Sequence, residues 1–258
     1  MMIWAIADLH LALSVPEKSM EAFGSSWRDY TARIEAGWRT SVSPEDLVLI
    51  PGDISWAMKP EEALIDLAWI DALPGKKVIL RGNHDYWWPS SKKLREMLPP
   101  SLSFIRNNAL TFGRIAIGGT RLWDSPEYDF KDLIANGLDR KEDKSGETEE
   151  EFRERKASDL RIFERELERL KLSLSKMDRS ALLRIAMTHY PPIGHTLEPS
   201  RTSAILETYG IDICLFGHLH NVKRGQPLFG KRGNVSYILT AADYLDFTPI
   251  LIHDRETA

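Results

Sequence analysis

The chain has 258 residues, 43% of them hydrophobic, a formal net charge of −4 and one cysteine. That is enough apolar material for a layered domain, with no excess positive charge to meet nucleic acid or an anionic membrane and no second thiol for an intramolecular disulfide. No apolar run approaches the length of a membrane span, and the N-terminal run lacks a basic leader, so a soluble cytoplasmic protein is expected.

Taken in order, Ile3 to Ala7 reads as a buried strand that ends at Asp8-Leu9-His10. Phe23, Trp27, Tyr30, Ile34 and Trp38 follow at helical spacing and predict one helix with an aromatic core face. Leu47 to Ile50 is the next strand, ending at Gly52-Asp53. Pro60-Glu61-Glu62 opens a second helix, which carries Ala63, Leu64, Leu67, Ala68 and Ile70 to the core. Val78 to Leu80 ends at Gly82-Asn83-His84-Asp85. Leu102 to Ile105 and Ile115 to Ile117 read as strands, the second closed by Gly118-Gly119.

The composition changes once, between Asp139 and Arg169, where most residues are charged. Leu160, Phe163, Leu167, Leu170 and Leu174 give this stretch a narrow apolar seam. A charged helical insertion at about 139–175 is expected, packed on the domain's own flank, with a dimer contact or a lid as alternatives. Residues 139–148 are polar with a central glycine and are expected to be mobile. Leu183 to Met187 then ends at Thr188-His189, and Ile211 to Phe216 ends at Gly217-His218-Leu219-His220. Val235 to Leu239 and Ile250 to Ile252 are closing strands. Strands interleaved with helices make a mixed α/β protein, read as a single domain over 1–258.

The polar blocks carry the chemistry. Each sits at the C-terminal end of a strand, where layered α/β proteins bind their ligands. Five of the 7 histidines fall in them, with Asp8, Asp53 and Asn83. Carboxylates, imidazoles and a carboxamide without sulfur suit Mn, Fe, Zn or Ni in an open catalytic site. The lone Cys214 lies inside an apolar strand as a small hydrophobe. A pair of cations needs an anion between them, and Asp53 after the flexible Gly52 is the best placed. His195 and His253 lie outside the blocks: His253 reads as a strand-end residue, and His195 as a loop residue with a place at the rim of the site as the alternative.

In this order the blocks resemble the calcineurin-like metallophosphoesterase superfamily, whose pattern is D-x-H, G-D, G-N-H-[DE], H and G-H-x-H. The resemblance implies a four-layer αββα sandwich of two mixed sheets flanked by helices, with the long charged helix between the third and fourth blocks. It implies two divalent or trivalent transition-metal ions: Asp8, His10 and His220 on one, Asn83, His189 and His218 on the other, and Asp53 bridging. His84 matches the catalytic histidine that assists the leaving group, and Asp85 the acid expected to orient it. A hydroxide shared by the metals would attack phosphorus. Scaffold relatives have lost histidines that this chain keeps, so an enzyme is expected.

Substrate is less legible. The sequence Gly52-Asp53-Ile54-Ser55-Trp56 lacks the arginine of the phosphoprotein phosphatases, and D-x-H-L with G-N-H-D looks more like small prokaryotic phosphohydrolases. A small phosphodiester is the favoured substrate, with a phosphomonoesterase or nuclease as alternatives. Trp87 and Trp88 either stack on the substrate or pack the loops, and Trp56 and Trp123 raise the same question more weakly. Arg81, Arg121 and Arg201 are candidate phosphate grips among which the sequence does not choose.

Overall fold

The computed structural model describes residues 1–135, 148–223, 225 and 228–254. Strands β1 to β6 are Ile3–Ala5, Leu47–Ile50, Lys76–Leu80, Leu102–Ile105, Leu110–Phe112 and Ile115–Thr120. Strands β7 to β11 are Leu183–Thr188, Ile213–Phe216, Gly230–Arg232, Val235–Leu239 and Ile250–His253. Helices α1 to α5 are Tyr30–Ser41, Pro60–Asp71, Ser91–Met97, Glu149–Leu174 and Arg201–Thr208.

The strands form two mixed sheets, in the orders β11-β1-β2-β3-β4 and β5-β6-β7-β8-β10-β9. Within each sheet the central strands run parallel, and the antiparallel strands β11, β5 and β9 lie at the edges. The two-residue period of a strand then divides the apolar side chains into layers. Leu47, Leu49, Val78 and Leu80 meet Ile117, Ile185, Met187 and Leu215 between the sheets. Val48, Ile50 and Ile79 face outward to α1, α2 and α3 through Trp38, Leu67, Ile70 and Leu94. On the other side Ala116, Ala186, Cys214 and Phe216 pack with Phe163, Leu167 and Leu170 of α4 and Leu206 of α5. Three apolar layers between four structural layers are the αββα sandwich.

Parallel central strands bring their C-terminal ends to one edge. The sheets are joined there: Ala7 N donates to the Thr240 carbonyl at 2.7 Å, and Ala242 N returns a bond to the Ala7 carbonyl at 3.0 Å. This places the end of β1 beside the end of β10.

Several expectations need correction. The aromatic helix is α1 alone, because Gly24 and Asp29 take φ of 127° and 52° and break the chain into short 3₁₀ turns before Tyr30. Phe23 is consequently 49% exposed, while Trp27 remains buried. In α2 the inward face is Ala63, Asp66, Leu67 and Ile70; Leu64 and Ala68 point outward. Asp66 is tolerated inside because its carboxylate accepts from Leu13 N, 3.0 Å, and from the Ser55 hydroxyl. Gly118 and Gly119 do not end β6, which pairs with β7 as far as Thr120.

The charged helix is α4, and its seam is buried against the chain's own sheet. Phe163, Leu167, Leu170 and Leu174 are buried, but Leu160 is 44% exposed. Ser173 on the same face receives the Gly119 amide at 2.8 Å, and Thr120 donates to the buried Glu166 carboxylate at 2.7 Å. Of the segment 139–148, only Thr148 is among the described residues. It caps α4 by a reciprocal pair of bonds with Glu151.

Candidate metal centre

Backbone bonds join the loop after β1 to that after β2, and the loop after β7 to that after β8, while the Asp53 and Asp85 carboxylates join the loop after β3 to that after β2. Asp8 N donates to the Gly52 carbonyl at 2.9 Å, His10 N to the Asp53 carbonyl at 3.0 Å, and Gly217 N to the His189 carbonyl at 3.2 Å. The packing leaves no room for a side chain at Gly82 or Gly217. An added Cβ would lie 2.0 Å from Asp53 Oδ1 in the first case and 2.3 Å from Asp8 Oδ2 in the second. Asp8, His10, Asp53 and His218 all hold left-handed backbones, with φ of 58°, 45°, 50° and 72°. Such conformations cost energy in non-glycine residues and persist where the surroundings over-determine them. Here they turn side chains inward at the strand ends.

One group of side chains is Asp8, His10 and His220, and another is Asp8, Asp53 and His189, with donor atoms within 4.8 Å of one another in each. His10 Nε2 lies 3.0 Å from His220 Nε2 and 3.6 Å from Asp53 Oδ2. Asp53 Oδ2 is also 3.4 Å from His189 Nε2, so one carboxylate oxygen faces an imidazole on either side. His189 Nε2 and His218 Nδ1 approach Asn83 Oδ1 at 2.5 and 3.0 Å. All seven metal-ligand residues expected from sequence therefore converge on one place.

The donor set suits a cation. His220 Nδ1 faces Asp243 Oδ1 at 2.9 Å, and His189 Nδ1 faces the Pro51 carbonyl at 3.1 Å. These acceptors claim the ring protons, leaving each Nε2 as a lone pair. The His189 lone pair then points at Asn83 Oδ1, another acceptor, and nothing between them supplies a hydrogen. Burial pushes the Asp8 carboxyl up to about 7, partly offset by His220 and the His218 amide. Burial, with Asp85 and Asp8 adding, raises Asp53 well above the ordinary range. Burial first, and then neighbouring imidazoles, hold His10 and His189 well below theirs. Buried carboxylates among neutral imidazole acceptors are what a positive ion offsets.

Asp243 was missed by the sequence reading. Its Oδ2 accepts from Asn221 N at 2.8 Å while Oδ1 holds His220. Burial opposes its charge, but His220 and these hydrogen bonds keep its carboxyl below the usual value. A signal was present: Asp243 follows the end of β10, just as the recognised blocks follow their strands.

His84 donates its backbone amide to Asp53 Oδ1 at 2.8 Å. Its ring lies 4.4 Å from that of Trp56, 5.6 Å from His10 and 6.3 Å from Tyr86, and its Nδ1 is buried without a partner among the described residues. Burial, then His220, lowers its pKa to about 4. Asp85 does not orient this ring. Its carboxylate is used by the amides of Ile54, Ser55 and Gly82 at 2.9, 3.2 and 2.7 Å and by the Trp87 indole at 3.0 Å. Asp85 thus ties the His84 loop to the Asp53 loop.

Trp87 and Trp88 are also corrected. They are 1% and 7% exposed, inside the outer core of the first sheet, and offer no face to a ligand. The aromatics beside His84 are Trp56, stacked 5.0 Å from His10 at 24°, and Tyr86, 54% exposed. Trp123 packs 5.4 Å from Tyr190 and donates to Asp159, which fixes α4 to the loop after β6. No described contact brings His195 or His253 to the centre: His195 accepts from Phe229 N through its carbonyl, and His253 ends β11.

The profile of the calcineurin-like phosphoesterases matches residues 1–222, and the chain belongs to that family. With these clustered donors it is a metal-dependent phosphoesterase that binds divalent metal. No curated protein sequence matches the chain. Among solved structures it is similar to the phosphopantetheinyl hydrolase PptH of Mycobacterium tuberculosis, at 14% identity and TM-score 0.48 over 100% of this chain and 98% of that one. It is also similar to AQ665 of Aquifex aeolicus, a protein of unknown function, at 14% identity and TM-score 0.47 over 96% and 94%. Among the described residues no helix is long and apolar enough to cross a membrane.

Proposed function

We propose that the chain is a dinuclear phosphoesterase of small molecules that favours diesters, working in the cytoplasm. The observation that carries this reading is Asp53 Oδ2, set 3.6 Å from His10 and 3.4 Å from His189, between two sets of ligand atoms. Asp8, His10 and His220 would hold one ion and Asn83, His189 and His218 the other, with Asp53 shared. Mn, Fe or Zn suits four imidazoles among oxygen ligands. Such a pair, when bound, would supply an activated water and neutralise charge on the phosphoryl group.

The protein's own groups do the rest. The hydrogen bond that the His84 backbone N–H donates to Asp53 couples the position of the imidazole to the shared carboxylate. Trp56 stacks on His10 and packs tilted against His84, so it limits the rotation of the two rings. His84 then meets the leaving oxygen, as hydrogen-bond donor or proton carrier. Tyr86 offers an exposed ring 6.3 Å from His84, where an aryl or nucleoside leaving group would lie. The preference for small diesters rests on three features: that ring, the missing phosphoprotein-phosphatase arginine and the net negative charge, which disfavours long polyanions.

The test is a panel of phosphomonoesters, phosphodiesters, phosphopeptides and nucleic acid offered to protein reconstituted with Mn. Small aryl or nucleotide diesters are expected to turn over fastest. Faster hydrolysis of monoesters or of phosphopeptides would reject the diester preference, and hydrolysis of none would reject the reading itself.

A further inference from the structure

The three arginines that resemble phosphate grips have very different surroundings. Arg201 is spent: its Nε donates to Glu127 at 2.9 Å, Nη1 reaches the Glu164 carboxylate, and the guanidinium lies 4.8 Å above the Phe163 ring. Arg81 and Arg121 have no carboxylate partner among the described residues. Arg81 follows β3 and stands two residues before Asn83. Its Nε donates to the Asp85 carbonyl at 3.2 Å, which fixes the group to the His84 loop and leaves the terminal nitrogens to another acceptor.

Arg121 follows β6, and its carbonyl accepts the amides of His189 and Tyr190 at 3.1 and 3.0 Å. Its guanidinium lies 4.7 Å from the Trp123 ring, which contacts Tyr190. Tyr190 in turn packs 4.2 Å from His218. Arg121 therefore borders the His189 and His218 side of the centre, and Arg81 stands on the loop that carries Asn83. Burial lowers the Arg121 pKa, and Arg81 is among the charges that lower it further. Tyr190, and after it Glu166, favour its charge, but Glu166 is already held by Thr120 and Arg169. Two half-buried guanidiniums on loops that carry or hold the ligands of this side, neither with a carboxylate partner among the described residues, suit an anion.

We propose that Arg81 and Arg121 form a second phosphate subsite, so that the substrate carries another phosphate next to the one that is cleaved. This rests on the phosphoesterase reading above and narrows its substrate class to esters of diphosphates or of closely spaced bisphosphates. The reacting phosphate belongs to the metal ligands. The arginines, set outside them on the open side, take its neighbour through paired N–H···O bonds.

Binding separates this from simpler roles. Metal-loaded protein is titrated in a calorimeter with inorganic phosphate and with methylenediphosphonate, whose P–C–P bridge cannot be hydrolysed. Arg121→Gln and Arg81→Gln should each weaken methylenediphosphonate by about tenfold to a hundredfold, the scale of a lost charged hydrogen bond, and weaken phosphate by no more than about threefold. Arg121→Lys keeps the charge without the fork and should fall between. Arg201→Gln should change neither affinity. Metal content and thermal unfolding, measured on each variant, show which have kept the folded centre, and Arg121→Lys carries the comparison should a glutamine variant fail to fold. Equal losses for both probes would assign the arginines to the cleaved phosphate, and no loss for either would leave them as loop supports; each result overturns the subsite. Failure of the phosphoesterase reading is visible separately, as metal-loaded wild-type protein that hydrolyses no phosphoester while it binds these probes.

Discussion

The two sides of the centre are built from the same residue types but in different surroundings. On one side His10 and His220 are buried, Trp27 lies edge-on to both rings, and Asp243 backs His220. The Tyr30 hydroxyl fixes the His10 carbonyl at 2.8 Å. On the other side Asn83 and His218 are only half-buried, His189 is backed by the Pro51 carbonyl, and two arginines stand near. The closed side has the contacts that hold an ion in place. The open side is less buried and has the positive charge that the proposed anion subsite would use. This asymmetry separates holding from receiving, and it makes the sides respond differently to substitution.

Asp53→Asn should have the largest effect, because Asp53 belongs to both sides. In the proposed dinuclear centre it would remove the anion between two cations, so metal content by elemental analysis and hydrolysis should fall together. Retention of both ions at full occupancy would show that the sides do not depend on a common carboxylate. His84→Ala should lower turnover by about 10²–10⁴-fold, the usual contribution of an acid–base group, with metal content unchanged. Loss of metal in that variant would move His84 from the reaction to ligation.

Asp243→Ala tests the closed side alone. Removing a carboxylate behind a metal-bound histidine costs about 10–100-fold in metal affinity. One ion should thus be lost to a chelator sooner than in the parent protein, and the other should not. Equal release of both would remove the asymmetry. Smaller still for the chemistry, though large for the fold, is Trp87→Ala. It empties a core position and leaves Asp85 without its indole donor, so a loss of about 3–5 kcal/mol in denaturant unfolding is expected, with metal binding retained in what folds. Unchanged stability accompanied by a selective loss on aromatic substrates would restore the substrate-stacking role that its burial argues against.

What could be read from sequence follows the same division. Strands were legible because buried parallel strands are short apolar runs, and the clustered polar side chains because each such run ends in a polar block. The same rule reaches Asp243 if it is carried on to β10, whose end looks less distinctive only because Ala241 and Ala242 intervene. Backbone conformation was the hidden part. The left-handed Asp29 that divides the expected aromatic helix has no marker in the sequence, since aspartate is common in helical first turns as well. Side-chain direction after a motif was hidden too. Tyr86, Trp87 and Trp88 are adjacent aromatics, yet only Tyr86 faces solvent, because Asp85 draws the Trp87 indole inward. The seam of α4 was read correctly from Phe163 to Leu174. Leu160 is the exception, 44% exposed one turn before the buried Phe163.

The most direct test is an anomalous-scattering map from a crystal of the Mn-reconstituted protein. Two peaks per chain are expected, one among Asp8, His10 and His220, the other among Asn83, His189 and His218, with the Asp53 carboxylate between them. A single peak, or a second one away from Asp53, would contradict the dinuclear centre.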